Sequence, residues 1–237
     1  METRTDEIAA GVYRFSTAVS GIGPEPFTFN QFLIDADAPM LFHLGQRGFF
    51  PTVSRAVARV MPLERIRYLS FGHVEADECG SLNLWLRAAP NAELVHSQVG
   101  CQVSLSDLAD RPPRPLADGQ AIDLGGRRLR WLYTPHVPHG WEAGALHDET
   151  NSVLFCGDLL THGGAGPALT EADVCGPACA LEDAFHAMTM APNTGPVLER
   201  LAALAPTTLA IMHGSSFRGD GAAQLRALGA YCAGARS

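Results

Sequence analysis

Four apolar segments in this chain end on a residue of metal-ligand type. "YLSFGH" closes on His73, "LRWLYTPH" on His136, "VLFCGD" on Asp158 and "TLAIMHG" on His213. Each segment has the composition of a buried strand. Sites are commonly built on loops at one edge of rigid sheets. Four strands that each deliver a His or an Asp to such an edge make a converging ligand set. A single His at a strand end is most often a hydrogen-bonded or exposed residue, so the repetition is what points to a site. Gly72, Gly157 and Gly214 stand beside three of these residues and permit tight turns there.

The segments between them mix antiparallel hairpins with helices. "GVYRFST" reads as a short strand, and "FTFNQFLIDADAPMLFHLG" as a hairpin around the polar turn "DADAP". "QAIDLGGRRLRWLYTP" reads as two strands around Gly125 and Gly126. "GWEAGALHDETNSVLFCGD" reads as another hairpin, around "DETN". Helical spacing marks "PTVSRAVARVM", "ECGSLNLWLRAA", "QVGCQVSLSDLA", "CALEDAFHAMTM", "GPVLERLAALA" and "GAAQLRALGAYCAGA". A doubly wound parallel sheet has no need of the hairpins. Two sheets packed face to face with helices outside accommodate both. The proline-rich stretch "RPPRPLADG", 111 to 119, reads as a connection between two halves of one domain spanning 1–237.

Composition narrows the function classes. The formal net charge of -8 disfavours nucleic acid and anionic membranes as partners. No apolar run approaches the roughly 18 to 20 residues that span a bilayer. The polar N-terminus has no apolar core of a secretory signal. Six scattered cysteines then read as reduced thiols, and a cytoplasmic location is the expectation. Cys175 and Cys179, in "CGPAC", lack zinc-ribbon spacing and read as free thiols.

The densest feature is "FGHVEADECG", 71 to 80, with His73, Glu75 and Asp77 at alternate positions and Glu78 next. Its structural alternative is a solvated helix start, where acidic residues are favoured. Together with "TPH", "FCGD" and "MHGSS", in that order, the motif resembles the metallo-β-lactamase superfamily over nearly the whole chain. The common hydrolase motif there is H-x-H-x-D-H, and here Glu75 replaces the second His and Glu78 the last. H-x-E-x-D is similar to the flavodiiron branch and its stand-alone relatives, the oxygen-binding diiron proteins. That resemblance implies an α/β fold, an αββα four-layer sandwich, with a dinuclear site. It implies that His73, Glu75 and His136 hold one metal, that Asp77 and His213 hold the other, and that Asp158 bridges them. Glu78 is then expected behind the ligands or facing solvent.

Three imidazoles and three carboxylates make a hard, oxygen-rich set that suits iron or manganese better than a nitrogen-rich dizinc set would. The expected cofactor is therefore a pair of metal ions, iron first, with zinc or manganese as alternatives, and no flavin in this chain. His139, three residues past His136, is positioned to hydrogen-bond a bound small molecule, and His162 is a weaker candidate for the pocket wall. His43, His96, His147 and His186 read as structural. Three functions follow: a diiron protein that binds or reduces O2 or NO with electrons from an external reductase, a dinuclear zinc-type hydrolase, or an O2 sensor read by a signalling partner. A homodimer is compatible with all three. Glu75 separates the first from the second.

Overall fold

The computed structural model describes residues 2–235. The first sheet runs in sequence order: β1 (Thr3–Ala9), β2 (Val12–Val19), β3 (Phe27–Ile34), β4 (Met40–Phe42), β5 (Tyr68–Ser70), β6 (Glu93–Ser97) and β7 (Arg114–Leu116). Its first four strands pair antiparallel and the rest parallel. The parallel half needs helical crossovers. These are α1 (Phe50–Ala58), α2 (Ala76–Cys79), α3 (Leu82–Ala88), and the short pieces α4 (Gln98–Gly100) and α5 (Ser106–Leu108).

The second sheet comprises β8 (Ala121–Asp123), β9 (Arg128–Tyr133), β10 (Gly144–Asp148), β11 (Val153–Phe155), β12 (Leu169–Thr170), β13 (Thr208–Ala210) and β14 (Ser216–Arg218). Their order is β12-β14-β13-β11-β10-β9-β8. The helices α6 (Cys175–Phe185), α7 (Thr194–Ala202) and α8 (Gly221–Ala235) cover it.

Three apolar clusters define four layers. Between the sheets lie Ile8, Phe32, Phe42, Trp131, Leu146 and Phe155, all fully buried. Phe155 meets Phe32 and Phe42 with ring centroids 5.6 Å apart. Fully burying one such side chain stabilises the fold by roughly 1.5–3 kcal/mol. A second cluster joins Phe15, Leu33 and Leu69 to Val53, Trp85 and Leu86 of α1 and α3. A third joins Leu154 and Leu209 to Leu198 and Leu225 of α7 and α8. The fold is the expected αββα sandwich. No helix among the described residues is long and apolar enough to cross a membrane.

Some local expectations are corrected. Residues 3–9, polar in sequence and assigned no element there, form β1, because Thr3 to Ala9 pair along β2. The stretch 111–119 contains β7, a short edge strand on which Pro115 is tolerated. The helix expected from 179 starts earlier, at Cys175, and stops at Phe185, where His186 takes a left-handed conformation (φ 51). The helix expected over 78–89 is split into α2 and α3.

Candidate metal centre

Strand pairing brings the ligand-type residues together. β4 and β5 run parallel, and the chain leaves β5 through Phe71 and Gly72 to His73. β11 and β13 also run parallel, with Phe155 opposite Ala210, so Asp158 and His213 emerge side by side three residues later. Asn30 ties the two sheets at this edge. Its side-chain amide donates to the Ile211 and Gly214 carbonyls at 2.9 Å each. The buried Arg14 guanidinium donates to the same Gly214 carbonyl at 2.8 Å. Gly214 itself has φ +100 and packs against the His162 ring, so no side chain fits there.

The result is two small groups sharing one carboxylate. His73 Nε2 lies 2.8 Å from Glu75 Oε2 and 2.9 Å from His139 Nε2. His139 Nε2 lies 3.2 Å from Glu75 Oε2 and 3.4 Å from Asp158 Oδ2. On the other side, His213 Nε2 lies 3.2 Å from Asp77 Oδ2 and 3.3 Å from Asp158 Oδ1. The two oxygens of Asp158 thus face different groups. His73, Glu75, His139 and Asp158 offer ligand atoms that all lie within 4.8 Å of one another.

Each imidazole is held from behind. His73 Nδ1 faces Glu78 Oε1 at 3.2 Å, His139 Nδ1 donates to the Ala187 carbonyl at 3.1 Å, and His213 Nδ1 donates to the Thr28 carbonyl at 2.8 Å. An imidazole that donates from Nδ1 presents Nε2 as its free ligand atom. This is the outer hydrogen bonding that orients metal-binding histidines. In all three rings Nε2 is the atom that faces Glu75, Asp77 or Asp158.

Glu78 is fully buried and serves this outer role. Its Oε2 accepts from the backbone N–H groups of Gly72 and His73. A Cβ at residue 72 would stand 3.0 Å from that carboxylate, so glycine lets the loop approach it. His43, also fully buried, places Nε2 3.5 Å from Glu78 Oε1. Sequence reasoning took His43 as structural and missed this contact. Its position directly after β4, in "LFHLG", repeats the strand-end pattern and was the available signal. Glu142 was also missed; its Oε1 accepts from Val74 N at 2.8 Å and pins the loop between His73 and Glu75.

The structure places His136 elsewhere. The chain leaves β9 at Tyr133, turns through a Val137 N–H to Thr134 carbonyl bond, and exposes His136 with φ 63. The bond from His136 N to the Gly140 carbonyl closes this loop and folds His139 inward. His139, expected as a hydrogen-bond donor beside the ligands, is thus the residue that stands among them. His162 Nε2 accepts from Ser215 N and supports the turn after His213. The thiols of Cys175 and Cys179 are free and 3.7 Å apart.

The charges are strongly coupled. Burial alone would lower the His73 and His213 pKa values. Glu78, Glu75 and Asp158 outweigh it at His73, raising it to about 12, and Asp158 and Asp77 raise His213 to about 10. Asp158 and Glu75 raise His139 to about 9. Hydrogen bonds from His139 and His73 hold Glu75 down at about 2. Asp77 Oδ1 is buried without a hydrogen-bond partner, and the buried Asp158 Oδ1 has no well-directed hydrogen bond, with His213 Nε2 3.3 Å away; such oxygens are costly unless a cation satisfies them. The donor set and these orphaned oxygens fit a pair of metal ions.

Comparison with known proteins gives the family and the fold. The profile of the ODP family beta lactamase matches residues 27–214. The putative diflavin flavoprotein A 2 of Synechocystis sp. is 28% identical over 136 residues, covering 56% of this chain and 23% of that protein. The rubredoxin-oxygen oxidoreductase of Megalodesulfovibrio gigas is 26% identical over 213 residues, covering 84% of this chain and 51% of that protein. The chain therefore spans between about a quarter and a half of these curated relatives. Among solved structures, the metal-soaked Flv1 flavodiiron core of Synechocystis sp. superposes with a TM-score of 0.85 at 22% identity, covering 98% of this chain and 61% of that one. A fragment of the putative diflavin flavoprotein A 5 of Nostoc sp. gives a TM-score of 0.87 at 16% identity, covering 99% and 97%. These two likenesses establish the fold.

Proposed function

The chain belongs to the ODP family beta lactamase, a flavodiiron-like part of the metallo-β-lactamase superfamily, and from that premise we propose that it is a diiron protein that binds or reduces O2 or NO with electrons supplied by a separate donor. The observation that carries the reading is the arrangement of three imidazoles, each fixed through Nδ1 and each presenting Nε2 to Glu75, Asp77 or Asp158. His73, Glu75 and His139 would hold one ion, Asp77 and His213 would hold the other, and Asp158, which faces both groups, would contribute to each.

When bound, two iron ions would supply two electrons to a diatomic oxidant. The protein's part is to tune and to exclude. Three carboxylates favour the more oxidised metal state, because they offset its added positive charge. His73, His213 and Asp158 are largely buried and keep water from the back of the site, whereas the half-exposed Glu75 faces the opening. Glu78 points away from the centre, towards Gly72 and His73. Asp77, His213 and Asp158 alone would then hold the second ion, a smaller donor set that would favour binding of a small oxidant there. The name of the Megalodesulfovibrio gigas relative assigns that protein a rubredoxin donor; a small redox protein in the same role here is part of the proposal.

Metal analysis after anaerobic purification tests the assignment. The expected content is two iron ions per chain. Glu75→His should shift the preference from iron towards zinc, as a nitrogen donor replaces a hard oxygen donor. An unchanged preference would remove Glu75 as the residue that selects the metal.

A further inference from the structure

The metal group forms the floor of a cavity of about 680 Å³. A small diatomic needs a volume on the order of that of one water, roughly 30 Å³. The cavity is instead in the range of roughly 300–1,000 Å³ that holds organic ligands. Its walls come from the segment before and into β3 and from α6 with the turn that follows. Ile22, Phe27, Leu160, Leu181, Phe185 and Met188 are among its apolar lining residues.

Two further observations define the ligand. Ile22 and Phe185 are 47% and 58% exposed, among the few large hydrophobic side chains left in water, and both line this cavity. Exposed apolar surface gathered at a concave site marks a binding surface. No Lys or Arg lines the cavity. Above the floor its charged residues are Glu25 and Glu182, and Glu182 is engaged by the Ala187 and Met188 N–H groups. A phosphate or carboxylate would meet no cation on these walls.

We propose that this cavity binds an uncharged, largely hydrocarbon organic molecule, with one end resting against the metal group. This rests on the reading of the floor as a metal centre and extends it. The site then takes two partners, a diatomic oxidant at the ions and an apolar molecule along α6.

Binding of N-phenyl-1-naphthylamine, a neutral dye that brightens in apolar surroundings, tests the proposal on the full chain, both metal-free and anaerobically loaded with ferrous iron. Saturable binding of one dye per chain is expected, displaced by 1-decanol and not by decanoate in the metal-free protein. Ala184→Arg combined with Phe185→Ser changes two exposed residues of α6 and should weaken dye binding about tenfold or more, through lost apolar contact and an added charge, with metal content unchanged. Absence of saturable binding, preferential displacement by decanoate, or indifference to both substitutions overturns the proposal. So does a dimer that the same substitutions dissociate in sedimentation, since a second copy would then cover the face. Metal content measured on the same samples separates the two readings. Dye binding without metal uptake contradicts the metal centre alone, and metal uptake without dye binding contradicts the apolar site alone.

Discussion

The Nε2 atoms of His73 and His139 face each other at 2.9 Å. Two imidazole nitrogens at that distance repel unless one carries a proton or both share a cation. Glu75 Oε2 lies 2.8 Å from the first and 3.2 Å from the second. These three atoms form the converging set proposed for the first metal position, with His139 rather than His136 as a proposed ligand. His139→Ala should therefore lower the metal content or weaken the affinity by at least about tenfold. His136→Ala should leave both unchanged, because that side chain is exposed and outside the group. Competition with a chelator, read by metal analysis, distinguishes the two variants. The opposite pattern would restore His136 to the site.

Glu78 carries a separate expectation. It supports His73 through the ring Nδ1 and through the backbone N–H groups of Gly72 and His73. Glu78→Gln keeps one acceptor oxygen and removes the charge. Loss of an outer partner of a metal-binding histidine typically costs about 10–100-fold in affinity. That loss is expected here, with far-ultraviolet circular dichroism unchanged. An affinity equal to that of the parent protein would mean that Glu78 serves only the loop.

The layout of the sheets was legible because buried strands leave an apolar signature and hairpin turns leave a polar one. The ends of β5, β11 and β13 lead to His73, Asp158 and His213, whose side chains the structure brings together. The end of β9 does not bring His136 there, because the loop 134–143 decides which His turns inward. That choice rests on backbone hydrogen bonds, such as His136 N to the Gly140 carbonyl, which have no side-chain signature. β1 was hidden for a related reason. Its pairing with β2 comes from backbone groups, while its side chains are mostly polar. The partnership of Glu78 with His43 spans 35 residues and two strand ends, and such a distant polar contact leaves no local pattern.

Buried histidine also makes stability depend on pH. His96 is fully buried between Phe71 and Trp131, and burial lowers its pKa from 6.5 to about 4. Below pH 6.5 the unfolded chain takes up a proton at this residue that the folded chain refuses, so stability falls as pH drops from 6.5 towards 4. The contribution reaches roughly 3 kcal/mol at the acid end. His96→Gln should flatten the slope of unfolding free energy against pH in that window, whatever its effect on stability at neutral pH. Denaturant titrations at pH 6.5, 5.5 and 4.5 measure the slope. An equal slope in the variant would assign the acid sensitivity to other groups.

Oxygen consumption by the ferrous-loaded protein tests the central claim most directly. Two ferrous ions hold two electrons, and reduction of O2 to water needs four. With no donor added, the reduced protein should show a single oxygen-dependent absorbance change and then stop. It should resume only when a reductase and its electron source are supplied. A colourless protein that is indifferent to O2, and that hydrolyses esters or phosphodiesters over many turnovers, would contradict the account and establish a dinuclear hydrolase in its place.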